Sequence, residues 1–453
     1  MMERFPYGKA PFWLVTLALV TTLLVLATQR WAKEAPPDLT LATFASNHME
    51  AYQDMAPAFE RKHGVKISLQ LVQRRALQTR LQNAMLAGTA VPDLVEIAEG
   101  DIAFFTRGPL ADVGFLDLTE RLEREGYRKR LVEMRLSLWQ SRRRVFALPH
   151  DVHPVMLAYR ADILAELGID PDSIKTWDDF VALRPKVVKD LDGDGVIDRY
   201  LIDLPIGEAW GLQIMMLQQG ISLFDAEGKL TMDRPETVDT IFWYIHQVEG
   251  KNRIATQCGW GQALAKAQKD GLAVFFIAPD WRTGVMELEA PMAKGLFKLM
   301  PLPAWTPGGR RTAVWGGSGL AITRATKNPE LAWELAKAFY FDAAHAGRRF
   351  TLTNIIPPLK DSWQLPEFKQ PNAYFRGQAI GAEFAKLAED VPASFNTPYW
   401  QRANDRLADV FLKSLEHYRK HGDSGLKEAI TRELHQVCED LEYFMGRNVL
   451  AKR

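Results

Sequence analysis

The sequence predicts an α/β protein whose parallel sheet carries helices on both faces. Three observations carry this. Strand-length apolar runs alternate with helical patterns through residues 39–98. Glycine or proline punctuates most changes of period. Neither an internal repeat nor a low-complexity tract interrupts the pattern. Residues 39–44 alternate apolar and polar, as a half-buried strand does. Asn47 is placed to cap a helix carrying Met49, Met55 and Phe59 and ending at Gly64. Residues 65–72 read as a second strand. Leu77, Leu81, Met85 and Leu86 recur at helical spacing until Gly88 stops the helix, and Pro92-Asp93 leads into a third strand, 94–98. This β-α-β-α-β order implies the parallel sheet. Further strands are predicted at 145–149, 155–159, 273–278 and 320–322. Thr176-Trp-Asp-Asp179 is a capping box opening a helix. From there to about Gly271 the pattern is mostly helical. So are 329–341 and the chain beyond Pro357-Pro358.

Ligands in such sheets bind beyond the carboxyl ends of the strands. Those ends carry Asn47, His48, Glu96, Glu99 and Asp101. Lysine plus arginine equals aspartate plus glutamate, 56 each, over 453 residues. No net field draws the chain to nucleic acid or an anionic surface, so its ligand is neutral or locally matched. Residues 11–28 form an uncharged, mostly apolar run flanked by Arg4, Lys9, Arg30 and Lys33. The segment 11–29 fits a membrane anchor or a secretory h-region, with 1–10 as a cytoplasmic N-terminus. No polar c-region precedes a cleavage site, which favours an uncleaved tether with the bulk of the chain in the periplasm or otherwise outside the cytoplasm. Cys258 and Cys438, the only cysteines, are expected buried and free.

Four tryptophans, Trp260, Trp281, Trp305 and Trp315, sit among glycines and prolines. Turn residues lie at the surface. A ring held there is half exposed and offers a flat apolar face, which suits the C–H face of a sugar. Packing at strand ends is the alternative for any one of them. Four so close together favour a ligand cleft.

These residues resemble a family, the extracellular solute-binding proteins of ABC importers that take maltose and other sugars. The likeness runs through LTLATFASN from Leu39, Phe59-Glu-Arg-Lys-His-Gly64, Ala147-Leu-Pro-His150-Asp151 with Tyr159-Arg160, and the Thr176-Trp-Asp-Asp-Phe180 start. It continues in Pro279-Asp-Trp281, Trp315-Gly-Gly-Ser-Gly319 and Asn328-Pro-Glu. Within the family, LPHDVHPVMLAYRADI from Leu148 is most similar to arabinose- or arabino-oligosaccharide-binding members. The resemblance implies a two-lobed, type II-like periplasmic-binding-protein fold. Its lobes would be 38–148 with 313–354 and 149–312 with 355–453, closing on a neutral mono- or oligosaccharide and delivering it, as a monomer, to ABC permease subunits. It places stacking aromatics at Trp281 and at Tyr399 or Trp400, and polar contacts at Asn47, His48, Glu99, Asp101 and Asp151. Trp260 and Trp315 join them from the turn-rich tract. Rival functions are an anchored carbohydrate-active enzyme, suggested by Glu96, Glu99 and Asp101, and a sugar sensor for a signalling kinase.

Asp190, Asp192 and Asp194, the Val196 carbonyl and Asp198 fall at positions 1, 3, 5, 7 and 9 of an EF-hand-like calcium loop, with Gly195 at position 6. Position 12 is Leu201, and Asp203 is the nearest substitute. A structural calcium is expected, against the alternative of a plain acidic turn. His150 and His153 alone make a poor zinc site, and a ligand or packing role is expected instead. No Walker loop, dinucleotide fingerprint or nucleophile elbow occurs.

Overall fold

The computed structural model describes residues 9–31 and 36–447. Residues 1–8 of the expected cytoplasmic segment lie outside them. The chain divides into two compact units, one up to Asp38 and one from Leu39 onward. The first contains the helix Ala10–Trp31, whose described side chains run as far as Val25. Among the described residues no helix is long and apolar enough to cross a membrane; the run 11–28 extends past those side chains.

The second unit is built on two five-stranded sheets. The first has the order Ile67–Leu71, Leu39–Thr43, Leu94–Ala98, Ser318–Ile322, Leu148–Pro149, its first three strands parallel. Successive side chains alternate between two cores. Leu39, Leu41 and Leu320 meet the helices Ser46–His63 and Pro329–Tyr340, while Ala42, Val95 and Ala321 meet Leu77, Leu81 and Phe115. Leu94–Ala98 is buried at every position, as a strand covered on both faces must be. The second sheet runs Phe297–Pro301, Val155–Arg160, Ala273–Pro279, Tyr200–Asp203, Ala255–Thr256. The helices Pro235–Val248, Trp400–His421 and Leu426–Gly446 pack on one of its faces.

Ser318–Ile322 pairs antiparallel between strands 94–98 and 148–149. The chain therefore passes between the sheets at 150–154, returns at 302–317, and approaches the crossing again after the helix Ala343–Thr353. At that point Val152 N–H donates to Ile356 O at 2.9 Å.

Gly64 and Gly88 end their helices in the left-handed conformation, at φ 67° and 63°. The capping box at Thr176 and Asp179 forms both of its bonds. Asn47 does not cap: the helix begins at Ser46, and the Asn47 carboxamide accepts the N–H of His48. The stretch before Gly271 is not all helix, since Tyr200–Asp203 is an inner strand. The apolar segment 145–149 splits between a small hairpin and the first sheet. Cys258 and Cys438 are buried and free.

Candidate functional site

The second crossing delivers Trp315 to the centre of an aromatic cluster. Its ring stacks on Trp210 at 4.1 Å and 8°. Trp281 meets it edge-on at 5.1 Å, and Trp260 lies 6.0 Å away. Trp281 stands in the first turn of the helix Asp280–Glu289, directly after the strand ending at Pro279. Its indole N–H donates to Trp315 O at 3.0 Å. Gly316, at φ 89°, permits this approach: a Cβ there would sit 3.4 Å from the Trp281 nitrogen and 3.5 Å from the His153 ring. Beneath the cluster Arg282 is buried, its guanidinium carbon 5.1 Å from the Trp260 ring and 5.6 Å from Trp315, close enough for cation–π attraction. Trp305 belongs elsewhere. It packs against Trp177 and Trp243 in the core of the second sheet. Trp210, flanked by Ala209 and Gly211, carries the same glycine-adjacent signal as the others but lies upstream of the turn-rich tract that holds them.

A small cavity opens beside the cluster, walled by Trp210, Trp315, Trp400, Gln213, Ser394 and Glu99, among others. A second, equally small, adjoins it across Gln213, Leu217, Ser394 and Trp400. Trp400 opens the helix Trp400–His421 and lies against Gly100, where a Cβ would come within 3.2 Å of its ring. Tyr399 lines neither cavity; its ring meets Phe444 edge-on. Glu99 follows the strand Leu94–Ala98, held by its N–H to Gly317 O at 2.8 Å. Burial pushes its carboxyl above the usual range, against the pull of Arg135.

The other polar residues are engaged within the protein. Asp101 pairs with Arg74 at 2.9 Å. His48 is buried, its Nδ1 2.7 Å from Glu96, and stacks on His150 at 3.9 Å. Glu96 also accepts from Thr43 and Tyr52. Burial alone would raise the Glu96 carboxyl; the His48 imidazole, with His150 and the Thr43 hydroxyl, outweighs it and holds the group at about 2. Burial and the neighbouring His48 take His150 down to about 3. Asp151 accepts from Arg135 at 2.9 Å and from the N–H and hydroxyl of Ser318 at 2.8 and 2.9 Å. Of the acidic cluster at 96–101, only Glu99 faces the cavity.

In the acidic loop one carboxylate oxygen each of Asp190, Asp192 and Asp194 lies within 4.8 Å of the others. Backbone N–H groups fold the loop around them: Gly193 and Gly195 donate to Asp190, Asp194 to Asp192, Val196 to Asp194 and Leu191 to Asp198. The bonds from Gly195 and Gly193 lower the Asp190 carboxyl. Asp203 does not complete the loop. It is buried at the end of its strand, accepting the Cys258 N–H at 2.9 Å and facing Arg282 at 3.4 Å.

The family model for bacterial extracellular solute-binding proteins matches residues 45–346. The chain is 25% identical over 410 residues to the arabinooligosaccharide-binding protein of Bacillus subtilis (strain 168), covering 88% of this chain and 92% of that one. It is 22% identical over 388 residues to the lactose-binding protein of Rhizobium radiobacter, covering 84% and 87%. Among solved structures, the sugar-binding protein MalE of Xanthomonas citri superposes with a TM-score of 0.72 at 18% identity, over 90% of this chain and 99% of that one. A binding protein from B. animalis subsp. lactis in complex with beta-1,6-galactobiose gives 0.66 at 22% identity, over 89% and 97%.

Proposed function

We propose, given that this chain belongs to the bacterial extracellular solute-binding protein family, that it binds a neutral saccharide between its two sheets and delivers it to the membrane subunits of an ABC importer. The observation that carries the saccharide is the cavity walled by Trp210, Trp315 and Trp400, with Glu99 as its one carboxylate. Aromatic faces suit sugar C–H patches, and Glu99, Gln213 and Ser394 suit hydroxyls. The relatives named for arabino-oligosaccharide and lactose support the class. Glu99, Trp315 and Trp400 form the contact set, with Trp210 and Gln213 added, and Trp260 and Trp281 buttress Trp315. His48, Asp101 and Asp151 frame it from behind. The protein acts as a monomer whose lobes, 38–148 with 313–354 and 149–312 with 355–453, close by a hinge motion. Glycoside hydrolysis ordinarily needs two flanking carboxylates, and the cavity presents one, which favours binding over catalysis. A thermal-shift screen of pentoses, hexoses and their oligomers tests the proposal. A true ligand at a hundred times its Kd stabilises by about 2.7 kcal/mol; no shift with any saccharide overturns it.

The proposal includes a tether through 11–29. Phe12, Trp13, Leu14 and Val15 are exposed at consecutive positions, so this end of the helix has no polar face. The hydroxyls of Thr16, Thr21 and Thr22 are satisfied by backbone carbonyls one turn back, as a lipid environment requires. The proposal also includes a structural calcium at Asp190, Asp192, Asp194, the Val196 carbonyl and Asp198. The converging oxygens and the glycines at φ 81° and 91° support it.

A further inference from the structure

We infer that His153 is a positioning residue for solute binding: its imidazole joins the first two crossings and the approach to the third, and sets the place of Trp281. The inference rests on the solute occupying the tryptophan cluster.

His153 lies in the first crossing with φ 56°, a left-handed conformation that costs a histidine free energy and persists where the surroundings hold it. Its two ring nitrogens face different carboxylates. Nε2 is 3.1 Å from Asp151, and Nδ1 is 2.6 Å from Asp280. Asp151 is locked to the first sheet by Ser318, and Arg135 ties it to the Gly316 carbonyl in the second crossing. Asp280 begins the helix that leaves the second sheet. One of its oxygens accepts the Trp281 N–H and the other the Ile356 N–H, each at 2.7 Å. The His153 ring also touches the space beside Gly316, next to the Trp281 indole nitrogen.

Only the doubly protonated ring donates at both nitrogens, so the linkage needs the charged form. Burial opposes that charge; Asp151 and Asp280 outweigh it and raise His153 to about 9. The other charged or titratable groups nearby are Arg135, which pairs with Asp151, Glu99, whose carboxyl feels His153, and His150, 3.7 Å from Asp151 and neutral in this range. Loss of the proton removes one of the two bonds and leaves two carboxylates on either side of an uncharged ring. Where the lost bond is the one from Nδ1, Asp280 keeps only its backbone donors, and the helix start carrying Trp281 loses its tie to the first crossing.

The full chain, labelled with ¹⁵N in histidine rings and tryptophan indoles, tests this against His153→Asn, which tolerates the same backbone conformation. In the wild type both His153 nitrogens should stay protonated at pH 7. The Trp281 indole resonance should shift as pH rises through about 9, and affinity for the saccharide found by screening should fall with the same midpoint. In the variant the indole resonance at pH 7 should match the high-pH wild type, with affinity about tenfold weaker and flat across that range. A singly protonated His153 at pH 7, or a variant with wild-type indole shift and affinity, overturns the inference. If the variant does not fold, the wild-type titration decides alone. If no saccharide binds the wild type, the saccharide proposal fails, and the indole titration still judges His153.

Discussion

Trp210 and Trp315 stack face to face, their ring centroids 4.1 Å apart and their planes 8° from parallel. Trp210 opens a helix packed on the second sheet, and Trp315 rides the crossing that leads back to the first. Each ring covers one face of the other, so a sugar meets only the outward faces and edges. The pair behaves as one aromatic wall, held from behind by the Trp281 indole bond to Trp315 O.

Trp315→Ala should therefore cost about 2 kcal/mol or more of binding, roughly thirtyfold in Kd. Trp281→Ala should cost less than Trp315→Ala, because Trp281 buttresses the wall and does not line the cavity. Trp305→Ala should lower Tm with affinity within twofold, since its ring packs on Trp177 and Trp243. Calorimetric titration of the three variants checks the order. Equal losses in Trp315→Ala and Trp305→Ala would relocate the site.

The residues behind this wall differ in how far the sequence announces them. Leu94–Ala98 was legible because a buried strand reads as an apolar run, here led in by Pro92-Asp93. Trp315 and Trp281 were legible because glycine and proline mark exposed backbone. Tyr200–Asp203 was not: it is four residues long, and its buried aspartate finds its partners in the Cys258 N–H and Arg282, both far along the chain. Asp101 and Asp151 were visible as acceptors, but their donors Arg74 and Arg135 are set by tertiary contacts. Sequence shows which groups can bond and leaves hidden which already have.

Glu99→Gln separates stability from function. Burial raises the Glu99 carboxyl, so the folded state binds its proton more tightly than the unfolded chain. The charged form therefore costs stability above the raised value, and the cost is relieved as pH falls. The glutamine variant should have a higher Tm at neutral pH. It should bind saccharide more weakly by about 1.5–3 kcal/mol, the worth of a hydrogen bond to a charged group. Melting curves and titrations at pH 7 measure both; unchanged affinity removes Glu99 from the contact set.

Calcium bound at Asp190, Asp192 and Asp194 should stabilise the fold by mass action. Added calcium should raise Tm, EDTA should lower it, and Asp192→Asn should blunt both responses. Elemental analysis that finds no metal, with Tm indifferent to EDTA, leaves the loop an acidic turn held by its own backbone bonds.

The tether predicts that protein taken from its native membrane resists carbonate extraction and keeps the residues before Thr28. A mature N-terminus at Thr28 would show instead that 11–28 is a removed signal segment.

The His48–Glu96–His150 cluster should make the protein sensitive to acid. Glu96 is held at about 2 in the fold against about 4.3 in an unfolded chain. Its lowered value contributes stability that is complete above the unfolded value and lost as pH falls toward 2. His150 is held at about 3 against about 6.5 unfolded. The unfolded chain takes up that proton first, so His150 too withdraws stability on acidification, beginning near pH 6.5. Both slopes have the same sign, because in each case the unfolded state binds more protons. Urea unfolding between pH 7 and pH 3 should show a continuous decline in ΔG. His150→Asn should flatten its upper part and Glu96→Gln its lower part. Glu96→Gln should also lower ΔG at pH 7, since Thr43, Tyr52 and His48 all converge on the carboxylate, and breaking a buried pair costs about 3–5 kcal/mol. If both variants keep the wild-type pH dependence, the cluster titrates as exposed groups do, and its burial carries no linkage.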